Sequence, residues 1–398
     1  METEKLTFTG NESAALGAKL ARVEVVATYP ITPQSTIVEN LSRFIANGEL
    51  KAEIINAESE HAAISICIGA SLSGARTFTA TASQGLVLMH EMLHWAAGAR
   101  TPIVMAVTNR ALCVPWSLHA DFQDAISQRD TGWIQFYCEN NQEVLDTIIQ
   151  AYKISEDKRV LLPSMVSLEG FILTHTVERV DVPKQKDVDE FLPPYKNEFF
   201  YIDPENPLAE NVVVLPDWYM EYRYQQEVAM QNAKEVIDKV SKEYFDKIGR
   251  NWGGLIEAYM MEDAEVAVVT MGTIAGTARV AVREMRKKSG KKVGLIKVRC
   301  FRPFPVEEFK KFSSLKALAV IDRSYSFGCG GPLCTEVKSA FYNTEEKPLI
   351  LGVVAGLGGR DVNVGDIINV LEKTIEVSKT GKVERETIWL NLKGEQLR

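Results

Sequence analysis

VEVVATYPITPQSTIVENLSRFIANGEL, Val23 to Leu50, joins an apolar run, a stretch in which Pro30 and Pro33 bracket Ile31 and Thr32, and a segment of helical period. A strand that enters a helix through a short loop is the repeating unit of parallel sheets covered by helices. The same alternation continues on both sides. AEIINA, RTFTATA, TPIVMAVTN and RVLLPSMVSL read as further strands, and NESAALGAKLA, EHAAISICIGASLSGA, GLVLMHEMLHWAAGA and NQEVLDTIIQAYKISED as helices. Residues 1–180 are therefore expected to form one α/β unit. From about Val180 the chain turns rich in proline and acidic residues and loses periodicity, which predicts an extended connector followed by a long amphipathic helix from MEYRYQQEVAMQNAKEVIDKV onward, together spanning 181–255. A second α/β unit over 256–398 has AEVAVVTMG, KVGLIKVRC, ALAVID and LILGVVAG as strands, with TARVAVREMRKKSG and VEEFKKFSS as helices. The polar tail TGKVERETIWLNLKGEQLR is expected on a surface or against a neighbouring subunit.

The chain of 398 residues exceeds one ordinary core, in keeping with two units. Its 45 Lys and Arg against 53 Asp and Glu give a net charge of −8, which offers no general attraction to phosphate backbones or anionic lipid. Nucleic acid and membrane are excluded as expected partners. No apolar run approaches the length of a membrane span, and the N-terminus has no basic segment leading into an apolar one. The cysteines at 67, 113, 138, 300, 329 and 334 lack metal-ligand spacing and read as reduced thiols of a cytoplasmic protein.

Ligands of open α/β sheets bind beyond the carboxyl ends of the strands, so three loops carry the functional argument. The prolines stiffen the first and leave Thr32 little entropy to lose on binding, although Thr32 or Ser35 could equally cap the following helix. In the second, NAESEHAAIS, Glu58 and Glu60 stand where a helix begins. There the macrodipole favours a carboxylate, and a buried proton carrier is the functional alternative. The third begins at Arg110, a residue type able to grip a carboxylate through its fork. It goes on through Trp116, His119 and Phe122 in a stretch without helical period, which predicts a pocket lid. His119 has no companion at metal-ligand spacing, so no metal site is expected here. Gly85, in TASQGL, allows either close backbone approach to a ligand or helix capping. MGTIAG lacks the GxGxxG spacing of dinucleotide binding.

YPITP, ESEHAA, FTATASQGL, NRAL, QRDTGWIQ, EFLPPY and FRPFP occur in this order over almost the whole chain. In this the sequence resembles the α subunits of pyruvate:ferredoxin oxidoreductase and related 2-oxoacid oxidoreductases. The resemblance implies a thiamine diphosphate-binding fold of the pyrimidine type in the first unit and a transketolase C-terminal-like second unit. It also implies oxidative decarboxylation of a 2-oxoacid to an acyl-CoA, with coenzyme A as co-substrate. Thiamine diphosphate would be shared with a β subunit that grips the diphosphate through Mg. The [4Fe-4S] clusters would sit on partner chains, a γ and a cluster-carrying δ subunit completing the complex, with ferredoxin or an NAD-reducing subunit as acceptor. This chain shows neither a GDG…N segment nor a cysteine-rich cluster motif, and alone it is expected to be inactive.

Carried over by motif, Glu60 corresponds to the glutamate that meets the aminopyrimidine N1′, a contact favouring the imino tautomer that takes the proton from thiazolium C2. Pro30, Ile31 and Gly85 fall on the cofactor side. Thr32 corresponds to the threonine touching substrate and Arg110 to the partner of its carboxylate; a neutral residue at position 32 points to a monocarboxylic 2-oxoacid. Glu58 matches no catalytic position. Pyruvate enzymes tend to read NIWxDHxD after NRAL, whereas this chain has SLHADFQD, so Ser117, His119 and Phe122 replace Asn, Trp and His while Asp121 and Asp124 remain. His119 and Phe122 are accordingly expected to shape the substrate pocket. Pyruvate is the first reading, an aromatic 2-oxoacid such as phenylglyoxylate the alternative, and a non-catalytic scaffold subunit the reading from another class.

Overall fold

A computed structural model describes residues 4–197, 202–207, 209 and 211–394; parts of the expected connector and of the polar tail, at 198–201, 208, 210 and 395–398, lie outside the described residues. The first unit runs β1 (Glu4–Phe8), α1 (Gly10–Leu20), β2 (Val25–Thr28), α2 (Ser35–Ala46), β3 (Glu53–Asn56), α3 (Glu60–Leu72), β4 (Thr77–Thr81), α4 (Ser83–Leu88), α5 (His90–Gly98), β5 (Val104–Asn109), α6 (Gln123–Ile126), β6 (Ile134–Tyr137), α7 (Asn141–Ser155) and β7 (Ser164–Glu169). Next come β8 (Glu178–Val182), α8 (Gln185–Phe191) and the 33-residue α9 (Pro216–Ile248). The second unit holds β9 (Ile256–Tyr259), β10 (Val266–Thr270), α10 (Ile274–Ser289), β11 (Val293–Val298), β12 (Cys300–Arg302), α11 (Val306–Lys310), β13 (Ala317–Asp322), α12 (Pro332–Phe341), β14 (Leu349–Val354), α13 (Val364–Thr380) and β15 (Thr387–Trp389).

Strands of the first unit pair in the order β12-β6-β7-β5-β4-β2-β3, all parallel except β12, which the second unit lends antiparallel to β6. From β2 the chain passes over one face through α2 to β3; from β4 it passes over the other through α4 and α5 to β5. The order therefore reverses between β2 and β4, and a crevice opens there at the carboxyl ends. The apolar run Val104–Val107 of β5, a strand buried throughout, suits a sheet buried on both faces. One face packs under α1, α7 and α9 with Ile148, Ile149, Val236 and Ile237 in its core, and the opposite face shares a second core with the second unit.

The second sheet, ordered β15-β14-β13-β10-β11-β9, is parallel apart from β9. Between the units lies a buried charge cluster. Lys297 of β11 is fully buried, 2.7 Å from Glu143 and 3.1 Å from Glu139, and Arg299 stands 3.4 Å from Glu143. Burial opposes the Lys297 charge, but Glu143 and Glu139 overcome that and raise its pKa.

Several sequence expectations are corrected. The first unit has an additional buried strand, β6, in a stretch to which the sequence assigns no element. The connector is not wholly extended, since β8 pairs antiparallel with β1 and α8 follows. GLVLMHEMLHWAAGA is divided at Met89 into α4 and α5. The tail adds β15 to the second sheet, with the Trp389 ring 4.7 Å from that of Tyr325.

Candidate active site

The loops after β2, β3, β4 and β5 converge at the crevice. The Tyr29–Gln34 turn is pinned from four directions: Gln34 Nε2 donates to the Tyr29 carbonyl at 2.8 Å, Gln34 N to Ile31 O at 2.9 Å, buried Asn11 Nδ2 to Pro33 O at 2.7 Å, and Arg110 Nη1 to Thr32 O at 2.6 Å. Pro30 and Thr32 are exposed and Ile31 half-buried. Neither Thr32 nor Ser35 caps α2: its N-cap position is Gln34, in helical conformation and with no side-chain cap bond. That removes the structural alternative for the bracketed threonine.

Glu60 is the first residue of α3, whose cap Ser59 accepts from Ala62 N at 3.2 Å. The helix terminus favours its carboxylate electrostatically, and the residue is 6% exposed. Among the described residues, no group donates a hydrogen bond to that carboxylate. Opposite stands Gly85, inside α4 rather than at a cap. A Cβ added there would lie 2.5 Å from Glu60 Oε1 and 2.6 Å from Thr81 Oγ1, so close approach explains the glycine. Glu58 is exposed.

Arg110 is buried, and burial lowers its pKa while Asp124 works the other way. A guanidinium nonetheless stays charged at neutral pH. Besides Thr32 O, it reaches Gln84 Oε1 at 2.7 Å through Nη2. Asp124 anchors this arrangement. One carboxylate accepts from Asn109 Nδ2 at 2.9 Å, from the N–H groups of Arg110 and Ser83 at 3.0 Å each, and from Ala125 N at 2.7 Å. Burial pushes its pKa up, against those bonds. The structure thus brings Thr32, Arg110, Gly85 and Glu60 into one chain of contacts, with Gln84 and Asp124 as members that the sequence reading did not assign to the site. Their signal was available: two polar residues directly after, or held against, strand ends.

Phe122 lies away from the loop crevice in which the sequence reading expected it, and requires correction. Phe122 is fully buried, its ring 4.9 Å from that of Tyr137, in the core shared with the second unit. It packs against Gly272, where a Cβ would come within 2.6 Å of its ring. The Phe122 N–H donates to the Arg323 carbonyl at 2.8 Å, which holds this segment against the second unit. His119 is exposed, 5.1 Å from the Phe171 ring. Residues 120–123 are strapped to the second unit by Gly359 N to Ala120 O at 2.7 Å, Gly358 N to Asp121 Oδ2 at 3.2 Å and Tyr325 N to Gln123 Oε1 at 3.0 Å. The expected lid is therefore a fixed strap with an exposed apolar tip at Val114 and Trp116. MGTIAG, too, holds a carboxylate of this chain: Thr273 N donates to Glu169 Oε1 at 2.7 Å, and Glu169 is ion-paired with Arg323.

Among the described residues, no cluster of His, Cys, Asp or Glu is arranged to hold a metal ion, and no helix is long and apolar enough to cross a membrane. No cysteine is in a disulfide; Cys67, Cys138, Cys300 and Cys334 are buried, Cys113 and Cys329 exposed.

The model for "Pyruvate flavodoxin/ferredoxin oxidoreductase, thiamine diP-bdg" matches residues 16–242, and that for "Pyruvate:ferredoxin oxidoreductase core domain II" matches 264–367. Pyruvate synthase subunit PorA of Pyrococcus abyssi is 51% identical over 394 residues, covering 99% of each chain. Ketoisovalerate oxidoreductase subunit VorA of Pyrococcus horikoshii is 49% identical over 390 residues, covering 98% of each. Among solved structures, 2-oxoglutarate:ferredoxin oxidoreductase from Magnetococcus marinus is similar in fold, with a TM-score of 0.71 at 19% identity over 94% of this chain and 66% of that one. A split-gene transketolase reaches a TM-score of 0.54 at 12% identity, over 92% of this chain and 98% of that one. The family model over residues 16–242 places the chain in the thiamine diphosphate-binding class. The chain belongs to the pyruvate flavodoxin/ferredoxin oxidoreductase family, as an α subunit of a thiamine diphosphate-dependent 2-oxoacid oxidoreductase. The site fits that cofactor: a buried carboxylate without a partner, beside a cradle that one methyl group would fill, suits a flat ring with a nitrogen to be protonated.

Proposed function

We propose that this chain is the α subunit of a CoA-dependent pyruvate oxidoreductase and that Glu60 serves the aminopyrimidine of thiamine diphosphate while Thr32 and Arg110 receive the substrate. The single observation that carries the reading is the Glu60 carboxylate, buried at a helix start against Gly85 with no donor of its own. When bound, thiamine diphosphate supplies the carbanion equivalent that adds to the 2-oxo carbon and holds the electrons released with CO2. Glu60 holds a proton at the aminopyrimidine N1′, and its burial excludes competing water. Arg110 presents fixed positive charge for a carboxylate, and its bond to Thr32 O keeps the bracketed loop in register with it. The neutral Thr32 hydroxyl offers a hydrogen bond without a second cation, which suits a monocarboxylic 2-oxoacid.

The diphosphate and Mg belong to a β subunit in this reading. The [4Fe-4S] clusters belong to a δ subunit associated with γ, and electrons pass to ferredoxin or an NAD-reducing chain. The domain limits 1–180, 181–255 and 256–398 remain our division of the chain, and the six unpaired cysteines support a cytoplasmic setting. A branched-chain 2-oxoacid is the second reading, favoured by relatives named for ketoisovalerate at 49% and 50% identity. The case for an aromatic substrate weakens, because Phe122 packs in the core.

The test is steady-state turnover of the purified complex with pyruvate, 2-oxoisovalerate, phenylglyoxylate and 2-oxoglutarate, each with CoA and a low-potential dye. Pyruvate is expected to give the highest kcat/KM. Glu60→Gln should lower kcat by about 10²–10⁴ with the complex still assembled in gel filtration. Retention of more than a tenth of wild-type kcat would leave the scaffold reading standing.

A further inference from the structure

Ser83, between β4 and the body of α4, stands at φ 48°, in the left-handed region that residues with a Cβ avoid. Two contacts hold it there: its N–H donates to Asp124 at 3.0 Å, and its hydroxyl lies 2.8 Å from the Ala111 carbonyl. The turn so formed aims Gln84 at Arg110. Arginine can only donate, so the Gln84 atom 2.7 Å from Nη2 is the amide oxygen. The Ser83 hydroxyl, 2.7 Å from the same oxygen, shares its proton between that atom and Ala111 O.

The orientation of the amide is thus fixed, and its NH2 group faces away from Arg110. Gln84 Nε2 is buried and meets no acceptor among the described residues; the same holds for Arg110 Nε. A buried donor without an acceptor costs free energy, and two on side chains bonded to each other mark a place where an acceptor belongs. Gln84 also precedes Gly85, the residue against which the Glu60 carboxylate packs. It therefore sits between the proton-handling and the substrate-handling sides.

We propose that Gln84 binds substrate directly, its Nε2 donating to the carboxylate of the 2-oxoacid beside Arg110. This rests on the reading of the chain as a 2-oxoacid oxidoreductase subunit. The bond forms when the 2-oxoacid binds and is held through attack on its 2-oxo carbon, before CO2 leaves, so it favours the bound substrate and that transition state alike. Its removal shows in KM rather than in kcat.

Gln84→Glu in the assembled complex separates the two ends of the amide. It keeps an acceptor for Arg110 Nη2 and replaces the donor with an oxygen. The KM for pyruvate should rise at least about tenfold, as for loss of a hydrogen bond to a charged group, with kcat within about threefold of wild type. Thiamine diphosphate affinity, read from quenching of tryptophan fluorescence, should not change. Gln84→Met, which has no charge and removes both the donor and the acceptor for Arg110, should also raise KM about tenfold, so that repulsion alone cannot account for the effect of Gln84→Glu. A KM within about twofold of wild type in both variants overturns the proposal, and so does a fall in kcat at unchanged KM, the signature of a residue that acts through Gly85 and Glu60 and not on the substrate carboxylate. If the wild-type complex turned over no 2-oxoacid, the functional reading would fall, and this inference with it.

Discussion

Gly85→Ala puts one methyl group into the tightest contact of the site. The new Cβ would lie 2.5 Å from Glu60 Oε1, 2.9 Å from Glu60 Cδ and 2.6 Å from Thr81 Oγ1. Thr81 is fixed in a buried strand paired with β5, whereas the Glu60 carboxylate is the free end of a side chain, so the carboxylate yields. Opening its contact from 2.5 Å to an ordinary 3.4 Å displaces it by about 0.9 Å. Stability should suffer modestly, by about 1 kcal/mol at the low end for overpacking, because alanine also favours the helix. Activity should suffer far more, since a misplacement of about 1 Å costs on the order of 10² in rate. The assay is CO2 release from 1-labelled pyruvate by the assembled complex, alongside thermal denaturation of the same preparation. A kcat within about twofold of wild type would refute the assignment of Glu60 to the cofactor side. A kcat loss accompanied by collapse of the complex would refute the claim that the glycine serves the site rather than the fold.

Two further outcomes concern the seam between the units. Lys297→Met should destabilise the subunit by about 3–5 kcal/mol, read as a lowered Tm, because Glu143 is left buried with no cation nearer than Arg299 at 3.4 Å; adding Glu143→Gln should restore part of the loss, and a single variant as stable as wild type would contradict the role of the cluster. Burial pushes the Asp121 carboxyl up to about 6, so the folded subunit keeps a proton that the unfolded chain loses near pH 4. Stability should therefore fall as pH rises from about 4 to about 6, by at most about 1.4 kcal/mol per unit, and level off above; Asp121→Asn should flatten that part of the Tm profile, and an unchanged profile would assign the dependence to other groups.

The parallel strands were legible because each is an apolar run bounded by polar or glycine-rich junctions, and the start of α3 at Glu60 because a polar junction follows a strand there. β6 was not. Ile134–Tyr137 follows the polar QRDTG, and its four residues are too few to show a period. α13 was legible and overlooked: Asn363 and Asp366 form a capping box, and Ile367, Val370, Leu371 and Thr374 recur on its buried face. Phe122 could not be read. Its neighbours Tyr137 and Gly272 are brought to it by tertiary packing, and an aromatic residue in an aperiodic stretch looks the same in the sequence whether it lines a pocket or plugs a core. Gln84 was hidden for a related reason, since its meaning comes from a donor-only arginine 26 positions away.

The strap through residues 120–123 bears on how far the chain can be dissected. Every group proposed for chemistry lies within its first 124 residues, yet Asp124, which orients Arg110 and Ser83, sits directly after a segment clamped by Arg323, Tyr325, Gly358 and Gly359. A gene fragment ending near residue 180 would encode all the proposed reactive side chains but not the clamp that holds residues 120–123. In that reading the C-terminal half serves the site by holding this strap, and splitting or recombining such genes between relatives would have to respect that seam.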